Sequence, residues 1–140
     1  MKKIIVFAAM IMVLFSGCSD DVSSPVSSVS QAQIDTQTGY EQITQEEAQR
    51  IMDTEDNIVI LDVRTQQEFD EGHIPGAICL PNESINGEDI DELPDKEQII
   101  LVYCRSGRRS KEASKKLASY GYTNILEFGG IIDWQGDIEK

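Results

Sequence analysis

The sequence has few of the residues that mark several common classes of protein. It contains three cysteines and a single histidine, His73, among its 140 residues. Three cysteines are too few for a disulfide framework, and neither they nor the histidine show the spacing of a zinc site. Basic residues number 12 against 25 acidic ones, so the formal net charge is -13. Because nucleic-acid binding needs clustered Lys and Arg, this charge argues against a nucleic-acid partner.

The N-terminus carries an apolar run that is too short to cross a membrane. Two lysines precede an unbroken apolar run over residues 4–15, and Ser-Gly-Cys follows at 16–18. A helix needs about 20 apolar residues to span the hydrocarbon core of a bilayer. A positive start, a short apolar run and small residues before a cleavage site predict a secretory signal peptide over residues 1–17.

Cys18 follows Ser-Gly directly, in a pattern that resembles the lipobox of bacterial lipoproteins. The resemblance implies that Cys18 becomes a lipidated N-terminus and anchors an exported protein to the cell membrane, with its domain on the extracytoplasmic side. The alternative is an ordinary signal peptide followed by a chance cysteine, because Phe15 stands where the lipobox usually has an aliphatic residue. Residues 18–39 are rich in Ser, Gln and Asp without any period, which predicts a flexible tether.

From Tyr40 onward the chain alternates helix signals with strand signals. Capping boxes at 44–47 and 65–68 predict the starts of two helices. The first should reach about Asp53, and the second should end at Gly72. Short apolar runs rich in β-branched residues predict buried strands. The predicted strands are residues 57–61, 77–80, 98–103 and 123–128, and a third helix is predicted from Ser106 or Gly107 to about Tyr120, with Gly121 as its end.

This alternation predicts one α/β domain over residues 40–140, with a mostly parallel central sheet and helices on both faces. The length allows one domain, and a composition of 40% hydrophobic and 26% charged residues is that of a globular protein. In sheets of this kind the functional site lies beyond the C-terminal ends of the strands. The strongest strand signal ends at Tyr103, and the next residue is Cys104.

A strand that runs into a cysteine, a Gly-containing loop and a helix predicts a reactive thiol at Cys104. Loop N–H groups and the positive end of the helix both favour a thiolate, so the Cys104 pKa should lie below the ~8.5 of a free thiol. Arg105, Arg108 and Arg109 crowd the same helix N-terminus, where the dipole disfavours cations. A bound anion would resolve that conflict, and a local cationic pocket is compatible with an acidic protein.

Four segments in order and at matching spacing resemble the rhodanese family, and the resemblance covers about residues 40–134. They are Leu-Asp-Val-Arg at 61–64, residues 68–77, residues 102–110 and Gly-Gly-Ile-Ile-Asp-Trp at 129–134. The resemblance implies a rhodanese-like fold and a sulfurtransferase without cofactor or metal. It implies that Cys104 carries a persulfide, taking sulfur from a small anionic donor such as thiosulfate and passing it to cyanide or a thiol. The substrate-binding residues that it implies are Arg105, Ser106, Gly107, Arg108 and Arg109.

Other polar residues receive structural interpretations. Asp62 and Arg64 follow a buried strand and favour an ion pair that holds a loop. His73 lies in a turn and is interpreted as a hydrogen-bonded structural residue, and Trp134 as a packing residue. Cys79 fits a small buried hydrophobe on a strand, although a resolving cysteine for Cys104 stays open. A low-pKa cysteine needs no neighbouring general base, and none is evident in the sequence.

Three alternative functions remain open. A phosphatase or arsenate reductase of the Cys-x5-Arg type needs Arg six residues after the cysteine. That position is Ser110, and Arg109 comes one residue early, so the loop is too small by one residue for phosphate. A non-catalytic module would lack the cysteine, which this chain keeps together with the full loop. A thiol-redox protein is supported only by Cys79.

Overall fold

The computed structural model describes residues 39–140, which contain one parallel sheet. Its strands are β1 (Glu41–Gln42), β2 (Ile58–Asp62), β3 (Ala77–Cys79), β4 (Ile99–Cys104) and β5 (Ile125–Gly130). The helices are α1 (Gln45–Thr54), α2 (Gln66–Glu71) and α3 (Arg108–Ser119), with short 3-10 helices at Asn82–Ser84 and Ile131–Asp133. The predicted signal peptide, Cys18 and all but the last residue of the predicted tether lie outside the described residues. Within the described range, no helix is long and apolar enough to cross a membrane.

Side-chain caps start the first two helices, as the sequence predicts. The Thr44 hydroxyl accepts the Glu47 N–H at 3.1 Å, but the Glu47 carboxylate pairs with Arg50, and the capping box of α1 is therefore only half formed. The box of α2 is complete. Its Thr65 hydroxyl accepts the Glu68 N–H at 3.3 Å, and the Thr65 N–H donates back to the Glu68 carboxylate at 3.1 Å. Each cap satisfies backbone N–H groups that the first helical turn leaves unpaired.

The sheet has the order β1-β5-β4-β2-β3, and every pairing between these strands is parallel. The chain leaves β2 for β3 on one side and then crosses back to β4 on the other side. This reversal makes the gap between the ends of β2 and β4 the expected place for a site. Asp62 lies opposite Tyr103 at that edge, and Cys104 is one residue beyond. The predicted location of the site is therefore the topological switch point.

Helices cover both faces of the sheet, as predicted, and β4 contributes to both cores. Ile100, Val102 and Cys104 point toward α3, where they join Ala113 and Leu117 in one buried cluster. The intervening β4 residues point to the opposite face, and α1 packs against them in a second cluster. This alternation is the two-residue period of a strand. It places the sulfur of Cys104 on the α3 side of the sheet.

Candidate active site

The sulfur of Cys104 lies in a cradle formed by the loop between β4 and α3. Cys104 ends its strand with 1% of its surface exposed. Gly107 adopts a φ of +94°, a left-handed conformation that L side chains rarely adopt. This turn aims the Gly107 N–H at Cys104 Sγ, with 3.1 Å between nitrogen and sulfur. Gly107 also forms the N-cap of α3, so the positive end of that helix faces the sulfur.

The cradle lowers the pKa of Cys104, as the sequence predicts. Burial alone raises the pKa of this thiol, because the charged form loses hydration. The Ser110 hydroxyl and the backbone N–H groups of Ser110, Ser106 and Gly107 outweigh burial and hold the pKa below its ordinary value. The hydrogen bonds that favour the thiolate therefore come from the loop and from the first turn of α3.

The end of β5 supports this loop from behind. A Cβ atom on Gly130 would lie 2.3 Å from the Arg105 carbonyl oxygen and 2.5 Å from Ser106 Cα, so only glycine fits there. The Ile132 N–H donates to the same Arg105 carbonyl at 3.2 Å. The Gly-Gly pair at 129–130 thus allows β5 to approach the backbone of the active-site loop.

The three arginines that follow Cys104 have different surroundings. Arg109 makes a two-pronged ion pair with Glu68, with N···O distances of 2.7 and 2.8 Å. Arg108 is exposed and lies 3.5 Å from Glu112 one turn along α3. Arg105 is exposed and makes no ion pair within residues 39–140. The Glu68 carboxylate is therefore one of the anions that the arginine cluster requires. The role of the arginines in donor binding stays a prediction.

The structural interpretations of Asp62 and Arg64 are confirmed. The two buried side chains form an ion pair, with Arg64 Nη2 2.6 Å from Asp62 Oδ2 and Nε 3.0 Å from both carboxylate oxygens. Arg64 Nη2 also donates to the Gly72 carbonyl at 2.7 Å, which joins the end of β2 to the end of α2. A fully engaged buried pair of this kind holds a loop in place and leaves few atoms free for a substrate.

His73 and Trp134 also have structural surroundings. The His73 ring stacks on Phe69 with 3.7 Å between centroids, and its Nδ1 lies 3.0 Å from the Phe69 carbonyl oxygen. The indole of Trp134 packs at a tilt against Phe128 and donates its N–H to the Asp137 carbonyl. Both observations agree with the roles predicted from the sequence.

Cys79 is half-buried, not buried as predicted, and it does not face Cys104. In the register of the sheet, Asp62 lies beside Cys79 on β3 and beside Tyr103 on β4, so these three side chains are on one face. Cys104 follows Tyr103 in β4, and its side chain is therefore on the opposite face. Two strand spacings of about 4.8 Å separate β3 from β4, whereas a disulfide needs Cα atoms within about 7 Å. The geometry therefore gives no support to Cys79 as a resolving cysteine.

Sequence reasoning missed a buried acid beneath the loop. Glu127 is 2% exposed, and its Oε1 accepts the Ser110 hydroxyl at 2.6 Å and the Gly129 N–H at 2.9 Å. Ser110 Oγ in turn lies 3.6 Å from Cys104 Sγ. The structure therefore brings a carboxyl group close to the thiol by way of Ser110, a contact between distant parts of the sequence. The available signal was a lone acid inside the apolar strand at 125–128, two residues after Ile125 and hence on the same face.

Metal binding would depend on how the acidic, cysteine and histidine side chains of the described residues are grouped. Among residues 39–140, no group of three or more His, Cys, Asp or Glu side chains is arranged to hold a metal ion. The groups that the structure brings together around Cys104 Sγ are backbone N–H donors, the Ser110 hydroxyl and, beyond it, the Glu127 carboxyl group.

Comparisons with known proteins bear on the family and the fold of this chain. The sequence model of the family described as "Rhodanese-like domain" matches residues 44–137. A protein named "Sulfurtransferase" from Allochromatium vinosum is 42% identical over 88 residues, which cover 62% of this chain and 79% of that protein. The thiosulfate sulfurtransferase PspE of Escherichia coli is 34% identical over 73 residues, which cover 52% of this chain and 70% of PspE. A solved structure described as a rhodanese with anions from E. coli has a TM-score of 0.55 at 31% identity, covering 59% of this chain and 98% of that chain.

Proposed function

This chain belongs to the rhodanese-like family, and from that premise we propose that it is a sulfurtransferase that carries sulfane sulfur as a persulfide on Cys104. The observation that carries the proposal is the cradle around Cys104 Sγ, where the Gly107 N–H lies 3.1 Å from the sulfur and the thiol pKa is lowered. The thiolate is the nucleophilic form of cysteine, and the same N–H groups can stabilise a persulfide anion.

The proposed reaction has two half-reactions, each of which conserves charge. The Cys104 thiolate attacks the outer sulfur of thiosulfate, a new S–S bond forms, and the old S–S bond breaks to release sulfite. Cyanide or a thiolate then attacks the outer sulfur of the enzyme persulfide, the S–S bond to Cys104 breaks, and thiocyanate or a new persulfide leaves as the Cys104 thiolate is regenerated. Because Cys104 is only 1% exposed, the donor has to present a small terminal sulfur, which favours thiosulfate and similar small anions.

Intact-mass analysis after treatment with thiosulfate tests this proposal. We expect the wild-type protein and a Cys79→Ser variant to gain the mass of one sulfur atom, and a Cys104→Ser variant to gain none. The matched pair is informative because only Cys104 lies in the cradle. Equal loss of sulfur uptake in both variants would defeat the one-cysteine mechanism and favour a redox function that uses both thiols.

Two other outcomes would point to the remaining alternatives. Absence of added sulfur in the wild-type protein, with the cysteine intact, would favour a non-catalytic binding module. Hydrolysis of p-nitrophenyl phosphate in preference to thiosulfate turnover would favour a phosphatase. The one-residue-short loop and the ion pair between Arg109 and Glu68 argue against that second outcome.

The proposed cellular location rests on the sequence alone. A signal peptide at 1–17 and a lipid on Cys18 would export the protein and anchor its domain to the extracytoplasmic side of the cell membrane. The partners proposed for the site are a small anionic sulfur donor and a thiol or cyanide acceptor. Nucleic acid is not among them, because the net charge is -13.

A further inference from the structure

The active-site loop lies above a buried carboxyl group that the two half-reactions do not use. Glu127 sits on β5, opposite Val102 of the neighbouring strand, and its side chain is on the same face as Cys104. It makes no ion pair within residues 39–140. Burying a carboxyl group without a cation costs free energy, so its position beneath the nucleophile requires an explanation.

The hydroxyl of Ser110 connects this carboxyl group to the sulfur. Ser110 Oγ lies 2.6 Å from Glu127 Oε1 and 3.6 Å from Cys104 Sγ. Two oxygens 2.6 Å apart require a hydrogen between them, and a serine hydroxyl has only one hydrogen to donate. While Cys104 is a thiol, its S–H can point to Oγ and the Ser110 hydrogen can point to the carboxylate.

The thiolate form requires a different arrangement of the same hydrogens. The Ser110 hydroxyl, which lowers the Cys104 pKa together with the N–H groups of Ser106, Gly107 and Ser110, then turns to the sulfur and away from Glu127 Oε1 and from the Gly107 carbonyl oxygen 3.0 Å away. The short contact between Oγ and Oε1 is left without a hydrogen unless Glu127 carries one. In this arrangement, the loss of the thiol proton is coupled to the gain of a proton on the carboxyl group.

We propose that Cys104, Ser110 and Glu127 form a proton relay in which the Glu127 carboxylate takes up the thiol proton by way of the Ser110 hydroxyl. The S–H bond breaks as Ser110 Oγ receives that proton, and the Oγ–H bond breaks as Glu127 Oε1 receives the hydroxyl proton. No atom is oxidised or reduced, and the three residues keep a single negative charge. The inference rests on the proposed function, since it assigns the base that generates the attacking thiolate.

The relay moves one negative charge within the site instead of adding a second. A thiolate and a carboxylate separated by one hydroxyl in a buried site would repel each other strongly. With the relay, the negative charge moves from Glu127 to the sulfur. The Ser106 and Gly107 N–H groups stabilise the charge on the sulfur, and the Gly129 N–H still donates to Glu127. Arg109 also interacts with the sulfur, since its pKa is raised mainly by Glu68 and to a smaller degree by the charge of Cys104.

A count of protons released on alkylation separates this relay from a purely structural Glu127. The full-length protein is used with Cys18→Ser and Cys79→Ser, so that Cys104 is its only thiol. The fraction of thiolate is first measured from its ultraviolet absorbance, at the lowest pH where half of Cys104 is ionised. Cys104 is then alkylated with iodoacetamide in weakly buffered solution, and the protons released are counted with an indicator dye.

The relay predicts about one proton released per alkylated Cys104, although half of the sulfur had already lost its proton. The thioether product carries no charge, so Glu127 ionises and releases the proton that it stored. In the Glu127→Gln variant, the number of protons released per alkylated Cys104 should fall to the fraction of Cys104 that was still a thiol. This variant is measured at the pH where half of its Cys104 is ionised, as for the parent. The control variant Glu71→Gln, which changes an exposed side chain, should release as many protons as the parent. A parent protein that releases protons only in proportion to its thiol fraction would overturn the relay.

The proton count stays informative if other parts of the account fail. The number of protons released by the parent protein is enough to support or overturn the relay. An unstable Glu127→Gln variant therefore does not weaken the test. No sulfur donor is added, and a protein that fails to accept sulfur from thiosulfate can still show or lack the stored proton. Failure of the relay and failure of the proposed function therefore give different results.

Discussion

At the scale of single residues, we propose that different groups of the site stabilise the thiolate and bind the donor. The hydrogen bonds that lower the Cys104 pKa come from the Ser110 hydroxyl and from backbone N–H groups of the loop. Backbone donors persist when a side chain is replaced. The guanidinium groups of Arg105 and Arg108 are exposed, where water and salt screen their charges. We therefore expect these two side chains to act chiefly on a doubly charged donor at the mouth of the loop.

Replacing Arg105 or Arg108 singly with Ala tests this division. Each change should raise the apparent KM for thiosulfate, by roughly tenfold where a charge-assisted contact is lost. The pH at which Cys104 reacts with iodoacetamide, a neutral probe, should move much less. Arg109→Ala should also raise KM, with an added loss of stability because the ion pair to Glu68 disappears.

Both quantities need to be measured in the same variants. A rise of one unit or more in the pKa for alkylation corresponds to about 1.4 kcal/mol. Such a rise with little change in KM would show that the arginines activate the nucleophile, and the proposed division would be wrong.

At the scale of elements, the Glu68–Arg109 ion pair joins α2 to the first turn of α3. The hydrogen bonds from Arg109, assisted by the Thr65 backbone, lower the pKa of Glu68 to about 2. A free glutamate has a pKa of about 4.3. Because the folded state binds this proton more weakly, the pair stabilises the fold fully above about pH 4.3, and this contribution is lost as the pH falls toward 2.

Glu68→Gln should remove this contribution while keeping an oxygen for the Thr65 cap. We expect the free energy of unfolding to fall by about 1 to 2 kcal/mol at neutral pH, since the pair is charge-assisted but partly exposed. The difference from wild type should shrink as the pH is lowered from about 4.3 toward 2. Urea unfolding across that range checks both statements, with Glu71→Gln on the same helix as the control. A difference that stays constant with pH would contradict the assignment of the stability to this ion pair.

The elements also show which parts of the structure a sequence can reveal. The capping box at Thr65 predicted the start of α2, because a cap is a local contact within four residues. The box at Thr44 was only half correct, because Arg50 competes for the Glu47 carboxylate. The strand β1 gave no signal, since its two residues, Glu41–Gln42, are polar and form a strand by pairing with β5, which is distant in the sequence.

Within the site, too, contacts between neighbours in the sequence were predictable and contacts between distant residues were not. The cradle around Cys104 was predictable because the cysteine, the loop and the helix start are consecutive. The approach of Glu127 to Ser110 was not, because it depends on the packing of β5 beside β4 beneath α3. The partner of Arg109 was missed for the same reason, since Glu68 is 41 residues away in the sequence.

At the scale of the whole molecule, the predicted lipid on Cys18 would attach the acidic domain to a membrane surface. Each buried methylene of an acyl chain contributes about 0.8 kcal/mol, so two or more chains hold a protein stably whereas one does not. Cys18→Ala should therefore move the protein from the membrane fraction to the soluble fraction. Fractionation checks this, together with mass analysis of the mature N-terminus. A variant that stays in the membrane fraction as firmly as wild type, or a mature N-terminus without lipid, would contradict the anchor.

The central claim is that a persulfide on Cys104 is the sulfur-carrying intermediate. The most direct measurement is a single turnover with the persulfide form, prepared with thiosulfate and then separated from all remaining donor. We predict that added cyanide removes one sulfur from the protein mass and yields an equal amount of thiocyanate. Persulfide that survives cyanide, or thiocyanate that forms only while thiosulfate is present, would contradict the account.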